Sequence, residues 1–413
     1  MLGRFSRYAE QRWDFLTIVR GVRDSRPRGQ IPASNIFLSV FGMFAVRQRS
    51  FNALELQFQI PDRWDAFLQG RPPSADTLAY ALERFDLEPL RDGLAQVAHE
   101  GKRKKAFRRI KKNSCNPYWT AALDGHESGA SYKRCCDQCL TRVIETAHGP
   151  KIQYYHREVH LQLVGFTPAM TLDLEPVLPG EDEVAAARRM VQRIRKRYPR
   201  FLDLLSIDAA YLEAPFTQDV LKENLDVVTV LKQENRDLYQ DVDGLLKTAP
   251  APEIITDGKR RIQQWDFTDL TSWSQVGRPV RVICQSEQIK RRVRVARQWQ
   301  EETIPSEWRW MTTLSQAQPE WIAESGHARW DIENRGFNEL EQHWAMNHGF
   351  HHHPNARLAI LLILALAFAL TTFFFDRNLK PPFRKGKTRL FLAQRLLEDL
   401  ILHPGMSFWS QPP

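Results

Sequence analysis

Eighteen consecutive residues, Leu358 to Phe375, carry no charge, and few folds can accommodate such a run. It is long enough to cross the hydrocarbon core of a bilayer. A helix that is apolar on every side can equally be the centre of a large soluble core. Thr371 and Thr372 interrupt the run, Phe373-Phe374-Phe375-Asp376 ends it, and no second stretch of comparable length occurs. A chain of 413 residues can surround such a helix completely. The segment therefore reads as a core helix of a soluble protein, with a membrane anchor as the alternative.

The stretch just before it, His327 to Trp344, is amphipathic: Trp330, Phe337, Leu340 and Trp344 recur at helical spacing. Glu333 falls on the same side, where a carboxylate is costly unless something compensates it. Arg329 lies one turn earlier and could pair with it, giving a buried structural ion pair. The other account is a divalent cation shared with carboxylates from elsewhere, and the chain supplies candidates. Tyr118 to Leu123 and Phe201 to Ile207 are largely apolar runs that read as central strands covered on both faces, and they lead into Asp124 and Asp208. In open α/β sheets the carboxyl ends of strands are where chemistry usually sits. Two strand-end aspartates followed by a helical glutamate suggest a two-metal carboxylate site.

The order Asp124, Asp208, Glu333, with Arg329 four residues before the glutamate, resembles the DDE transposases of bacterial insertion sequences. More narrowly, it is similar to the insertion sequence 4 class, which carries Tyr-x-x-Arg-x-x-x-Glu-x-x-x-x-x-x-Lys around its last acid. Arg329 and Glu333 fit that pattern, whereas Gly326 stands at the tyrosine position and Leu340 at the lysine position. The elements Asp124-Gly, Asp208-Ala-Ala-Tyr and Arg329-Trp-x-Ile-Glu-Asn are specific together and weak singly.

The resemblance implies an α/β fold: a ribonuclease H-like core, with a mixed five-stranded sheet flanked by helices, a β-rich insertion before the last catalytic helix, and a helical N-terminal domain. The corresponding segments are a helical DNA-binding region and basic linker over 1–112, the core over 113–233 and 317–376, the insertion over 234–316, and a C-terminal extension over 377–413. It also implies metal-dependent DNA strand cleavage and strand transfer in cut-and-paste transposition. Asp124, Asp208 and Glu333 would hold two Mg²⁺ ions, with Mn²⁺ able to substitute, and Arg329 would orient Glu333 or clamp a phosphate. The partner is double-stranded DNA, both the terminal inverted repeats and the target, bound by a dimer. The alternative is a catalytically silent DNA-binding protein derived from a transposase.

Bulk properties agree with an anionic partner. Lysine and arginine exceed acids by 58 to 49, for a net charge of +9, which favours phosphate or an acidic surface. Eight of the eleven residues from Lys102 to Lys112 are basic (Lys102, Arg103, Lys104, Lys105, Arg108, Arg109, Lys111, Lys112), which suits phosphate contact. Lys232, at the end of the strand read over Val227–Lys232, resembles the basic residue placed near scissile DNA in this family. In the insertion, Trp265 and Trp273 are either core residues or platforms for a flipped base. The helices around Ser74–Phe85 and Leu87–His99 are either a helix-turn-helix or part of an ordinary bundle.

The N-terminus lacks the apolar region of a signal peptide, and five cysteines, three of them at 135, 136 and 139, do not resemble a secreted disulfide framework. The expected compartment is the bacterial cytoplasm, at the nucleoid, without membrane attachment. Cys136-x-x-Cys139 with His156 or His160 has spacing acceptable for structural Zn²⁺, although Cys135, His126 and His148 compete as ligands. Free thiols are the competing and simpler account. The histidines at 348, 351, 352 and 353 read as phosphate or packing contacts.

Overall fold

The computed structural model describes all residues except Asn235, Lys259, Ala296–Arg297, 404–408 and 410–413. The chain forms two compact units. The first comprises Met1–Ile110, Asp124–Phe201 and Asp331–Pro413, and the second Lys111–Leu123 and Leu202–Trp330.

The first unit is built around the helix Pro354–Phe373, in which every residue from Ala356 to Phe373 is buried. The charge-free run is thus a helix by length and composition able to cross a membrane, and protein covers its entire apolar window. It packs against the helices Ala33–Ala45, Ala75–Leu82 and Glu88–Arg103. Aromatic rings close its C-terminal end, with Trp13 and Phe107 at 4.5 and 5.3 Å from Phe373. Helix Ala75–Leu82 starts where Ser74 accepts a hydrogen bond from the Thr77 amide, a side-chain N-cap. The following helix, Glu88–Arg103, buries Leu90, Leu94, Val97 and Ala98 and lies against the sheet and the apolar helix. Core packing therefore accounts for its apolar face.

The sheet of this unit turns on one long strand. Strand β1 (Thr120–Ser131) gives its first residues to the second unit and its remainder to the first. After it come β2 (Leu140–Thr146), β3 (Gly149–Val164) and β4 (Met170–Pro176). The first half of β3 forms a hairpin with β2 and its second half pairs antiparallel with β4. Strand β2 lies in a region where sequence pattern assigned nothing, because most of its side chains are exposed and show no apolar face.

In the second unit the start of β1 runs parallel to β5 (Leu204–Ile207), which runs parallel to β6 (Asp226–Val230). A helix, Asp237–Thr248, precedes an antiparallel meander of β7 (Glu253–Asp257), β8 (Arg260–Leu270), β9 (Val280–Val295) and β10 (Gln298–Thr312). The end of β10 returns to pair with β6. Leu204, Val228, Ile283, Trp310, Ile322 and Ala323 form the core here.

Candidate active site

Asp124 lies on β1, half-buried, and is followed by a glycine for a steric reason. A Cβ on Gly125 would sit 2.2 Å from a carboxylate oxygen of Glu183. Glu183 opens the helix Glu183–Arg197, whose N-cap Asp182 accepts from the Ala185 amide, and it pairs with Arg157 on β3. Two residues beyond Asp124, hence on the same face of β1, the His126 Nε2 is 2.5 Å from Glu341 Oε1. The His126 ring also packs against Phe337 at 4.8 Å and lies 5.8 Å from His160. Burial, then the neighbouring His126, holds the His160 imidazole well below its usual range, so it is neutral. His160 therefore faces this cluster and not the cysteines.

Glu333 is not on the continuous α-helix that periodicity suggests. The segment runs as a 3₁₀ turn (Ala328–Trp330), a π-helical turn (Ile332–Phe337) and a short α-helix (Asn338–Trp344). The π turn is fixed to the end of β3. The Asp331 carboxylate accepts from the Gly165 amide at 2.9 Å, and its carbonyl accepts from Gln162 Nε2 at 3.2 Å. Gly336 allows that approach, since a Cβ there would lie 2.0 Å from Gln162 Oε1. Burial raises the Asp331 pKa against the opposing hydrogen bond from Gly165. π turns add one residue to a helical turn, re-aim the side chains around it, and are frequent at functional sites. Glu333 is half-buried within this one. Downstream, Phe337, Leu340 and Trp344 are buried as expected. Leu340 is 2% exposed, so a lysine at that position would have to bury its charge.

In the second unit Asp208 follows β5 directly and caps the 3₁₀ turn Ala209–Tyr211, its Oδ1 accepting from the Ala209 amide at 2.5 Å. The last register pair of the parallel strands is Ala122 with Ser206. Asp124 and Asp208 each lie two residues further along their own strand direction. Lys232 is exposed just past the C-terminal end of β6. Arg329 is buried, with its guanidinium 5.0 Å from the centre of the Trp330 ring. Gly326 has no room for a side chain, because a Cβ would lie 2.3 Å from the Trp310 indole. That indole stacks on Trp308 with 5.2 Å between ring centres. Trp265 is half-buried on β8 and donates to the Pro250 carbonyl at 3.2 Å.

The basic run is not one uniform surface. Lys102 donates to the Phe201 carbonyl at 2.8 Å, Lys104 pairs with Glu100, and Arg109 lies 4.2 Å over the Phe166 ring. Arg103 and Lys111 are exposed but meet Glu100 and Glu324 respectively, and Lys105, Arg108 and Lys112 are exposed as well.

The metal-ligating side chains that lie together in the first unit include Cys136, Cys139 and His156, with ligand atoms within 4.8 Å of one another. Burial brings the His156 imidazole down to about 4, with Arg357 adding to the effect. Sequence reasoning did not single out Glu183, Arg157, Glu341, Gln162 or Asp331. Gly125 and Gly336 were the legible signals for two of these contacts, each glycine marking a close approach.

Residues 153–370, more than half of the chain, match the family described as transposase DDE domain. The chain belongs to that family. The match takes in Asp208, Arg329 and Glu333 and begins beyond Asp124. No curated protein matches the chain. As a DDE transposase it acts on DNA, and members of the family generally use divalent metal ions.

Proposed function

We propose that this transposase is of the insertion sequence 4 class and moves its element by cut-and-paste, through cleavage at the element ends followed by strand transfer. Asp124, Asp208 and Glu333 would hold two Mg²⁺ ions, with Mn²⁺ as a substitute, because the donor set is entirely carboxylate oxygen, the type hard cations take. When bound, such ions generate the nucleophile and stabilise the leaving oxygen of an in-line displacement. The observation that carries the reading is the match to the transposase DDE domain family over Asp208, Arg329 and Glu333, with Asp208 directly after β5.

The chain's own residues have definable tasks. The Ala209 amide fixes the orientation of the Asp208 carboxylate. Asp331 and Gln162 hold the turn that presents Glu333. Arg329 orients Glu333 or clamps a phosphate. The exposed cations Arg103, Lys105, Arg108, Lys111, Lys112 and Lys232 contact DNA phosphates, so affinity should fall steeply with salt. The parallel set β1, β5 and β6, together with antiparallel β3 and β4, supports a ribonuclease H-like core, and the β7–β10 meander fits a β-rich insertion. Action as a dimer on paired ends, in the bacterial cytoplasm, completes the reading.

Glu333→Gln tests it. The amide keeps the shape of the side chain and removes the charge a cation needs. Cleavage of end-containing DNA in Mg²⁺ should fall by more than the roughly hundredfold that loss of an outer-sphere metal partner costs. DNA affinity should be retained, since it comes mainly from Lys and Arg contacts. Undiminished cleavage would remove Glu333 from the metal site. An unfolded variant whose folded fraction still cuts would assign Glu333 to a structural ion pair.

A further inference from the structure

Cys136 and Cys139 sit in the turn between β1 and β2, His156 is on β3, and His352 lies two residues before the buried helix Pro354–Phe373. The two sulfurs are 3.6 Å apart, too far for a disulfide, whose S–S length is about 2.0 Å. His156 Nε2 is 3.6 Å from Cys136 Sγ and 3.3 Å from Cys139 Sγ. His352 Nδ1 is 3.9 Å from Cys139 Sγ. Tetrahedral zinc has Zn–S bonds of about 2.3 Å and Zn–N bonds of about 2.0–2.1 Å, which set S···S and S···N edges of about 3.8 and 3.6 Å. The three separations among Cys136, Cys139 and His156, whose ligand atoms lie within 4.8 Å of one another, fall near those edges, and His352 is the outermost of the four, approaching through Cys139. The turn supports the sulfurs as well: the Cys136 amide donates to Cys139 Sγ at 3.3 Å, and the Cys139 amide to the Cys136 carbonyl at 3.1 Å.

We infer that Cys136, Cys139, His156 and His352 form a closed Cys₂His₂ site for a structural Zn²⁺ ion, which staples the β1–β2 turn and strand β3 to the start of the buried helix. All four positions are filled by protein, the mark of a structural rather than a catalytic zinc. A parallel tie lies close by in sequence on the same elements. Arg357 donates to Ser128 on β1 and to Glu158 on β3, the latter at 2.9 Å. The neighbours of the ligands are otherwise engaged or exposed: His351 faces Glu83 at 3.4 Å, while His353 and Cys135 are exposed. The site stands independently of how the carboxylates cut DNA.

The test uses the full chain, purified reduced from zinc-supplemented medium. Elemental analysis should find one zinc per chain, and exchange with Co²⁺ should give the thiolate charge-transfer and d–d bands of a tetrahedral S₂N₂ site. Cys139→Ser should abolish those bands. His352→Ala should weaken zinc affinity, measured against a chromophoric chelator, by at least about tenfold. Cys135→Ser and His353→Ala should leave stoichiometry and affinity unchanged. Should Cys139→Ser not fold, the wild-type Co²⁺ spectrum and His352→Ala still decide the matter. Wild-type protein with no bound zinc and no tetrahedral Co²⁺ spectrum, or a His352→Ala variant with unaltered affinity, would overturn the assignment.

Discussion

Strand β4 and strand β5 both bring carboxylates out of apolar sequence, yet the two sets are built for different ends. On β4, Asp173 and Glu175 are buried among arginines. Asp173 receives Arg91 at 3.1 Å and Arg193 at 2.7 Å, while Glu175 receives Arg189 at 2.8 Å and Arg193 at 2.5 Å. Asp208, at the end of β5, is half-buried, with one oxygen on a backbone amide. The first arrangement is fully compensated and inward. The second holds an oriented carboxylate where solvent and ligands can reach it. An acid emerging from an apolar strand is therefore not a functional signal in itself; what faces it decides.

Substituting one acid of each set should separate the two most widely. Asp208→Asn is expected to lower cleavage by more than about a hundredfold while barely moving the urea midpoint. Asp173→Asn should cost about 1–3 kcal/mol of stability, because Arg91 and Arg193 lose one buried carboxylate and keep Glu175, with Glu88 for Arg91. Equal losses of stability in both variants would erase the distinction.

A second comparison concerns the turn that carries Glu333. Gly336→Ala should destabilise by about 1–3 kcal/mol through overpacking against Gln162 and lower cleavage with it. Gln162→Ala should cost less in the Gly336→Ala background than in wild type, because it relieves the clash, as read by thermal unfolding of the double-mutant cycle. A Gly336→Ala protein as stable and active as wild type would mean that the π turn tolerates displacement.

The smallest effect involves a neutral buried group. His160 Nε2 has no hydrogen-bond partner among the described residues, and burial keeps the ring neutral in the folded state. Unfolding lets it protonate below its ordinary value of 6.5, so the unfolded chain binds the extra proton. Its contribution to stability is complete above that pH and is lost as pH falls below it. Between pH 7.5 and 5.5, His160→Gln should remove up to about 1.4 kcal/mol of this acid sensitivity. An unchanged pH dependence of the urea midpoint would assign it to other groups.

Much of this architecture can be read from the chain. The apolar run, the strands leading to Asp124 and Asp208, and the Ser74-capped helix follow from local periodicity and capping chemistry. The arginines of Glu183–Arg197 show the limit. By position they suit the helix dipole, but Arg189 and Arg193 are in fact committed to Asp173 and Glu175, contacts that no local pattern encodes. His352 joins Cys139 across 213 residues, so spacing rules that find paired cysteines cannot find their fourth partner. The π turn at Glu333 depends on Gln162, far away in sequence, and only Gly336 hints at it.

The buried helix also fixes an order of events during synthesis. Helix Ala33–Ala45 is buried from Asn35 to Ala45 and packs against Pro354–Phe373. Some 300 residues separate the two, roughly 15–60 s of ribosome time at about 5–20 residues per second. For that interval the early helix waits without its final cover and is a natural client for chaperones that hold apolar segments. The late helix meets the opposite situation. It leaves the ribosome when its apolar docking surface already exists, so capture by its own protein can outpace recognition as a membrane span.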